Sequence, residues 1–125
     1  MLPFLSTAAA VQRLAGASGA LAVALGAFGA HGLQKRVADP RLFKSWETGA
    51  SYHLAHSVAL GLAAHGGAIG AKPARLAAAC FTAGIALFSG SLYAMTLTGN
   101  RQLGAITPFG GAAFILGWLA LAARK

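Results

Sequence analysis

The stretch Thr48 to Ala71, TGASYHLAHSVALGLAAHGGAIGA, decides how the chain is read: it runs 24 residues without a formal charge and carries three of the four histidines. A helix rises about 1.5 Å per residue and the hydrocarbon core of a bilayer is about 30 Å thick, so roughly 20 apolar residues cross it. The stretch therefore reads as a membrane span with polar groups to shield. Working outward, the intervals Leu14 to Gln34, Leu76 to Asn100 and Gln102 to Ala123 hold no charge either, over 21, 25 and 22 residues. A soluble four-helix bundle would need a charged outer face on every helix, and none is present. In hydrocarbon an unpaired backbone amide is costly, which requires helices, and the lack of alternating polar residues argues against a barrel. The fold class expected is all-α: an integral membrane bundle of four transmembrane helices with short loops. It forms a single domain over 1–125, with spans at about 14–33, 48–70, 76–98 and 103–122.

Composition supports this, at 57% hydrophobic and 10% charged. A net charge of +8 in a soluble protein would suggest nucleic acid. Here the charges sit in short segments at the membrane faces, where anionic headgroups attract them, so the lipid bilayer is the expected partner and nucleic acid is not. The single cysteine, Cys80, excludes an internal disulfide. The start of the chain resembles a signal peptide in its apolar residues and in Ala20-Leu21-Ala22. Arg13 follows the first apolar residues, however, and the next stretch is long enough to span, so the expectation is an uncleaved first helix.

On that helix Gly16, Gly19, Val23, Gly26 and Ala30 recur at steps of three and four, the spacing of a small-residue face for close helix packing. Gly110, Gly111 and Gly117 offer a similar face on the fourth helix, whose Thr107-Pro108 start predicts a kink or an irregular first turn. Asp39-Pro40 reads as an N-cap and first-turn proline, so the second helix begins before its membrane part, as an interfacial amphipathic segment. Its stripe of Phe43, Trp46, Ala50 and His53 opposes Arg41, Lys44 and Glu47, and Trp46 and Tyr52 suit the headgroup level. Lys72-Pro73-Ala74-Arg75 reads as a tight turn between the second and third spans, and Gly99-Asn100-Arg101 as the last turn. Thr82, Ser89, Tyr93 and Thr96 form a polar stripe that should face protein, because lipid offers it no partners.

Counting residues from the ends of four alternating spans places His31, His53, His56, Tyr93 and Thr107 in one layer near one face, with His65 toward the other. The reading adopted is a structural one: these groups satisfy one another and set the register of Gly-rich helices, in a subunit that self-associates or joins a membrane complex. No cofactor is predicted. One alternative is a metal or haem site at His31, His53 and His56, since three neutral imidazoles are competent ligands. A second is a proton or solute conduit, since polar groups within spans often mark pathways. No catalytic constellation is recognisable: Asp39 is taken up as a cap, Glu47 lies at the interface, and neither is spaced to work with a serine and a histidine. Gly66-Gly67 and Gly110-Gly111 lack the strand and lysine context of a phosphate-binding loop.

Arg13, Lys72, Arg75, Arg124 and Lys125 share one membrane face, and Lys35, Arg36, Arg41, Lys44 and Arg101 the other. Five basic residues on each side leave the charge rule undecided, and cytoplasmic termini are the expectation taken.

The segments Phe28-Gly29-Ala30-His31-Gly32-Leu33, Tyr52-His53-Leu54-Ala55-His56, Phe88-Ser89-Gly90-Ser91-Leu92-Tyr93, Leu97-Thr98-Gly99 and Ile106-Thr107-Pro108-Phe109-Gly110-Gly111, with Gly117-Trp118, come in an order that resembles one family of small membrane proteins. This is the domain of unknown function 423 family, YgdD- and YwdK-like, with the eukaryotic transmembrane protein 256 among its kin. The similarity covers the chain from about Leu14 to Ala122. It implies a helix-only protein of four spans and, for bacterial members, the cytoplasmic (inner) membrane. It supplies no catalytic or binding residues.

Overall fold

The computed structural model describes residues 5–65 and 72–123, and among them every regular element is helical. Helix α1 spans Ala8–His31, capped by Thr7, whose hydroxyl accepts from the Ala10 N–H at 3.0 Å. It thus starts ahead of the expected boundary at 14, because the cap and the alanines after it outweigh the single charge of Arg13. A short 3-10 turn, Leu33–Lys35, leads to α2, Pro40–Ala64. As expected, Asp39 caps α2: one carboxylate oxygen accepts from the Arg41 N–H at 2.9 Å, and Pro40 occupies the first turn.

Helix α3 runs over Lys72–Thr98. It is α-helical over Lys72–Gly84, widens to a π-helical segment at Ile85–Ser89, and returns to α over Gly90–Thr98. Lys72, Pro73, Ala74 and Arg75 are its first turn and not a loop, since proline is tolerated where an N–H has no helical partner. Residues 66–71, including Gly66-Gly67 and the expected end of the second span, lie outside the described residues. Gly99 ends α3 in the left-handed region at φ 74°, its N–H bonding the Met95 carbonyl, a conformation that favours glycine. After a 3-10 turn at Arg101–Ala105 comes α4, Thr107–Ala122, with Pro108 in its first turn.

Helices α1 and α2 pack as one close pair and α3 and α4 as another, with α2 also lying against α3. The buried surface is built from small residues: Ala15, Ala22, Ala50, Ala59, Ala63, Ala74, Ala77 and Ala78 are all at most 8% exposed. Trp46, Phe81 and Leu60 are among the large side chains buried with them, while Val23, Val58, Leu76, Phe109, Ile115 and Leu119 lie outside at more than half exposure. Water would penalise that distribution; hydrocarbon does not, because a leucine gains nothing by leaving lipid while a backbone gains van der Waals contact by close approach.

Three helices, Ala8–His31, Lys72–Thr98 and the stretch Arg101–Ala122, are long and apolar enough to cross a membrane. Helix α2 does not meet that apolarity. Its 25 residues reach roughly 37 Å, but it carries Arg41, Lys44 and Glu47 near its start and histidines and serines further on. Those charges point outward while Trp46, Ala50 and His53 are buried, as the two stripes predict. Trp46 is 2% exposed, and its indole N–H donates to the Leu25 carbonyl of α1 at 2.8 Å. Gly29 makes the room, since a Cβ there would lie 2.5 Å from the indole ring.

The glycines divide. At Gly110 a Cβ would run into the Phe88 backbone, at Gly84 into the Phe114 ring, and at Gly117 it would lie 2.6 Å from Phe81. On α1, Gly16 and Gly26 have open space where a Cβ would go, and Gly19 only an ordinary contact with Ser57. The buried face of α1 is instead Val11, Ala15, Ala22 and Gly29, because Trp46 and Ser57 of α2 approach on that side. Gly110→Ala should therefore cost about 1 to 3 kcal/mol by overpacking, whereas Gly26→Ala should change stability by less than about 0.5 kcal/mol; thermal unfolding of the two variants in mild detergent checks the contrast.

The loops at one end are tied together. Asp39, besides capping α2, pairs with Arg101 at the start of the last 3-10 turn. The Arg41 backbone N–H first, and the Arg101 guanidinium second, hold the Asp39 carboxyl below its usual range. A depressed folded pKa means that this contribution is full above the ordinary value of 3.8 and is lost as pH falls through the lower folded value. Detergent melting curves should accordingly fall on the acid side of pH 4 in the wild type, and Asp39→Asn should flatten that part of the profile.

Candidate functional site

The polar side chains of the interior come mainly from α2 and α3, with Ser18 as a partner from α1 and Thr107 and Trp118 as partners from α4. Helical spacing puts His53 and Ser57 on the face of α2 that meets α1, and His53 also reaches α3. Its Nδ1 lies 2.9 Å from the Tyr93 hydroxyl and its Nε2 3.0 Å from the Ser18 hydroxyl of α1. Ser18 in turn lies 2.7 Å from Ser57, which donates to the His53 carbonyl at 2.8 Å. One imidazole therefore joins three helices, and His53 and Ser57 are each 3% exposed.

Three residues on, His56 makes a different set of contacts. The indole N–H of Trp118, which can only donate, gives its hydrogen to His56 Nε2 at 3.0 Å. That leaves the ring proton on Nδ1, which donates to the Tyr52 carbonyl at 2.7 Å. His56 is thus neutral and in one tautomer, and it stacks on Phe114 with ring centroids 3.6 Å apart and planes 11° from parallel. Tyr52, Phe88, Phe114 and Trp118 surround it and line an open cleft of about 590 Å³ that faces outward between α2 and α4.

Hydroxyls of α3 complete the interior. Ser89, fully buried in the π segment, donates to the Gly49 carbonyl at 2.7 Å, and Thr96, seven residues on, donates to the Leu42 carbonyl at 2.9 Å. Thr82 satisfies itself on Ala78 of its own helix. Of the expected stripe of Thr82, Ser89, Tyr93 and Thr96, the last three thus meet other helices, Ser89 and Thr96 clamping the backbone of α2, whereas Thr82 turns to its own. Thr107 joins Ser91 at 2.6 Å, away from the histidines.

The expected layer of His31, His53, His56, Tyr93 and Thr107 is accordingly resolved into parts. Only His53 and Tyr93 bond each other. His31 ends α1 exposed, and His65 is exposed at the end of α2. His56 pairs instead with Trp118, which lies about 16 Å along α4 from Thr107. Among the described residues no three His, Cys, Asp or Glu side chains converge. Sequence reasoning missed Ser18, Ser57, Ser91 and Trp118 as members. A serine at position 18 within a run of alanines and glycines was the available signal, but its partner on α2 was not legible.

An exterior of exposed leucine, valine, isoleucine and phenylalanine around helices whose serines and imidazoles are turned inward defines a small helical membrane protein. The chain belongs to the family described as protein of unknown function (DUF423), whose model matches residues 25–111. That span contains His53, Tyr93 and Thr107 but neither Ser18 nor Trp118. Over 101 residues it is 46% identical to the UPF0382 membrane protein YwdK of Bacillus subtilis, covering 79% of this chain and 81% of the relative. A UPF0382 membrane protein of Haemophilus influenzae is 42% identical over 106 residues, 84% of each chain. The UPF0382 membrane protein C1782.12c of Schizosaccharomyces pombe is 38% identical over 117 residues, 86% of this chain and 94% of that one. No solved structure matches.

Removing the indole donor while keeping an aromatic ring isolates the second contact set. Trp118→Phe leaves His56 Nε2 unpaired and should lower stability by about 1 to 3 kcal/mol, with the imidazole Nε2 resonance of His56 moving in a nitrogen NMR spectrum; an unmoved resonance would show that the bond does not form.

Proposed function

We propose that this chain is a non-catalytic subunit of the bacterial cytoplasmic membrane, a four-span bundle with both termini in the cytoplasm, whose interior hydrogen bonds hold a rigid scaffold for association with a partner chain. The observation that carries the reading is that every buried side-chain nitrogen and oxygen among the described residues has a partner within the chain. A site that binds or relays usually keeps a group free for its ligand; here His53 and His56 spend both ring nitrogens on the protein itself. Helix α2 serves as the fourth span because it has the length, and its His53, His56 and Ser57 are turned to α1, α3 and α4, so that lipid meets Leu54, Val58 and Leu62.

The competing proposals are a metal or haem at His31, His53 and His56, and a proton or solute path. Both need imidazole nitrogens that are now engaged, and the first needs His31 brought in from the surface. A specific observation favours a variant of the scaffold reading, in which the aromatic cleft beside His56 receives an apolar side chain of the partner: its walls are preformed by stacked rings.

His53→Ala tests the scaffold directly. It should lower stability by about 1 to 3 kcal/mol, and gently purified wild-type protein should show neither a haem band nor stoichiometric metal, nor proton flux in vesicles. An absorption band or bound metal that disappears in His53→Ala and His56→Ala would overturn it, as would unchanged stability together with a loss of function in cells.

A further inference from the structure

At the end of the bundle opposite the Asp39–Arg101 pair, the first turns of α3 and the last turns of α4 part to leave a cleft of about 640 Å³. Its walls are apolar, made by Leu76, Ala79, Ala120 and Ala123, whose short side chains leave the space, and its mouth carries Lys72 and Arg75. Leu76 is 56% exposed, so the cleft is open sideways to whatever surrounds the helices. Lys72 is exposed, Arg75 half-buried, and neither has an ion-pair partner among the described residues. The chain has only two acids. Asp39 pairs with Arg101, just past the far end of α3, and α3 is 27 residues or roughly 40 Å long. Glu47 is two turns into α2 from that same far end.

We propose that this cleft binds an anionic phospholipid, with its phosphate between Lys72 and Arg75 and one acyl chain along Leu76, Ala79 and Ala120. Each half of the ligand answers a feature of the site. An apolar channel at the membrane face, open to the bilayer, accepts an acyl chain that is already there. Two unpaired cations at its mouth accept a phosphate, and basic pockets between helix ends are the recognised setting for anionic headgroups. Charge also selects against a second copy of the chain seated here, since two such faces would bring basic residues together with no acid to offset them. The site is separate from the His53 network, so the failure of either reading leaves the other standing.

The test uses the full chain in mild detergent, with melting temperature followed during titration with phosphatidylglycerol, with phosphatidylcholine of the same acyl chains, and with inorganic phosphate. Phosphatidylglycerol should raise the melting temperature, and phosphatidylcholine and phosphate should do so far less. The double variant K72Q/R75Q should require about fivefold more phosphatidylglycerol for each charge removed, the factor that one basic side chain supplies at an anionic surface. Both positions are at the surface end of a helix, so the fold should persist, and its melting temperature without lipid reports this. K35Q/R36Q, at the other end, should titrate like the wild type. A123L, which narrows the cleft and keeps its charges, should weaken the phosphatidylglycerol response. The proposal is overturned if the two lipids act equally on the wild type, if phosphate alone reproduces the shift, if K72Q/R75Q responds as the wild type does, or if A123L has no effect.

Discussion

His53 is gripped from two sides, by Tyr93 of α3 and Ser18 of α1, and the rest of the bundle can be understood from what that grip replaces. Two apolar helices in lipid gain no hydrophobic free energy by meeting, so their mutual position must be set by close contact and by hydrogen bonds that lipid cannot supply. Helix α2 concentrates the groups that make such bonds. It offers imidazoles at 53 and 56 and backbone carbonyls at Leu42 and Gly49, and each is met by a residue from a neighbouring helix or by its own preceding turn.

Close contact does the remainder, and the two helix pairs achieve it differently. In α1 and α2 a large residue enters a gap: Trp46 lies over Gly29 and bonds the Leu25 carbonyl. In α3 and α4 the glycines lie on both helices and the intruders are phenylalanines, Phe81 and Phe88 onto Gly117 and Gly110, and Phe114 onto Gly84. The π segment at Ile85–Ser89 belongs to this second arrangement. Within it the backbone of Phe88 meets Gly110 of α4 and the hydroxyl of Ser89 donates to the Gly49 carbonyl of α2, so the widened turn touches both neighbours. Between α2 and α4, where the backbones stay further apart, stacked aromatic rings around His56 fill the space.

Much of this was legible from residue order. The Asp39 cap, the Gly99 turn, the buried stripe of α2 and the inward stripe of α3 are local patterns, written within one or two helical turns, and local sterics and hydrogen bonding enforce them. The polar residues were also identified by type, since a histidine in an uncharged run has to be shielded. Their grouping was not legible. Counting from charged residues misjudged where α1 begins, because a cap such as Thr7 starts a helix irrespective of where the membrane is. His31 and Thr107 were joined to histidines they do not touch, and the seat of Trp46 over Gly29, bonded to the Leu25 carbonyl, was not foreseen.

By itself the sequence determined that the chain is helical and belongs in a membrane, because twelve charges placed at the ends of long neutral runs leave no water-facing surface. It also determined which residues have to find polar partners. Which partner each one found was decided by tertiary structure alone. A hydrogen bond from His53 to Tyr93 or from His56 to Trp118 depends on the rotation and offset of two helices to within about an ångström, and no periodicity within either helix records the angle at which it meets the other.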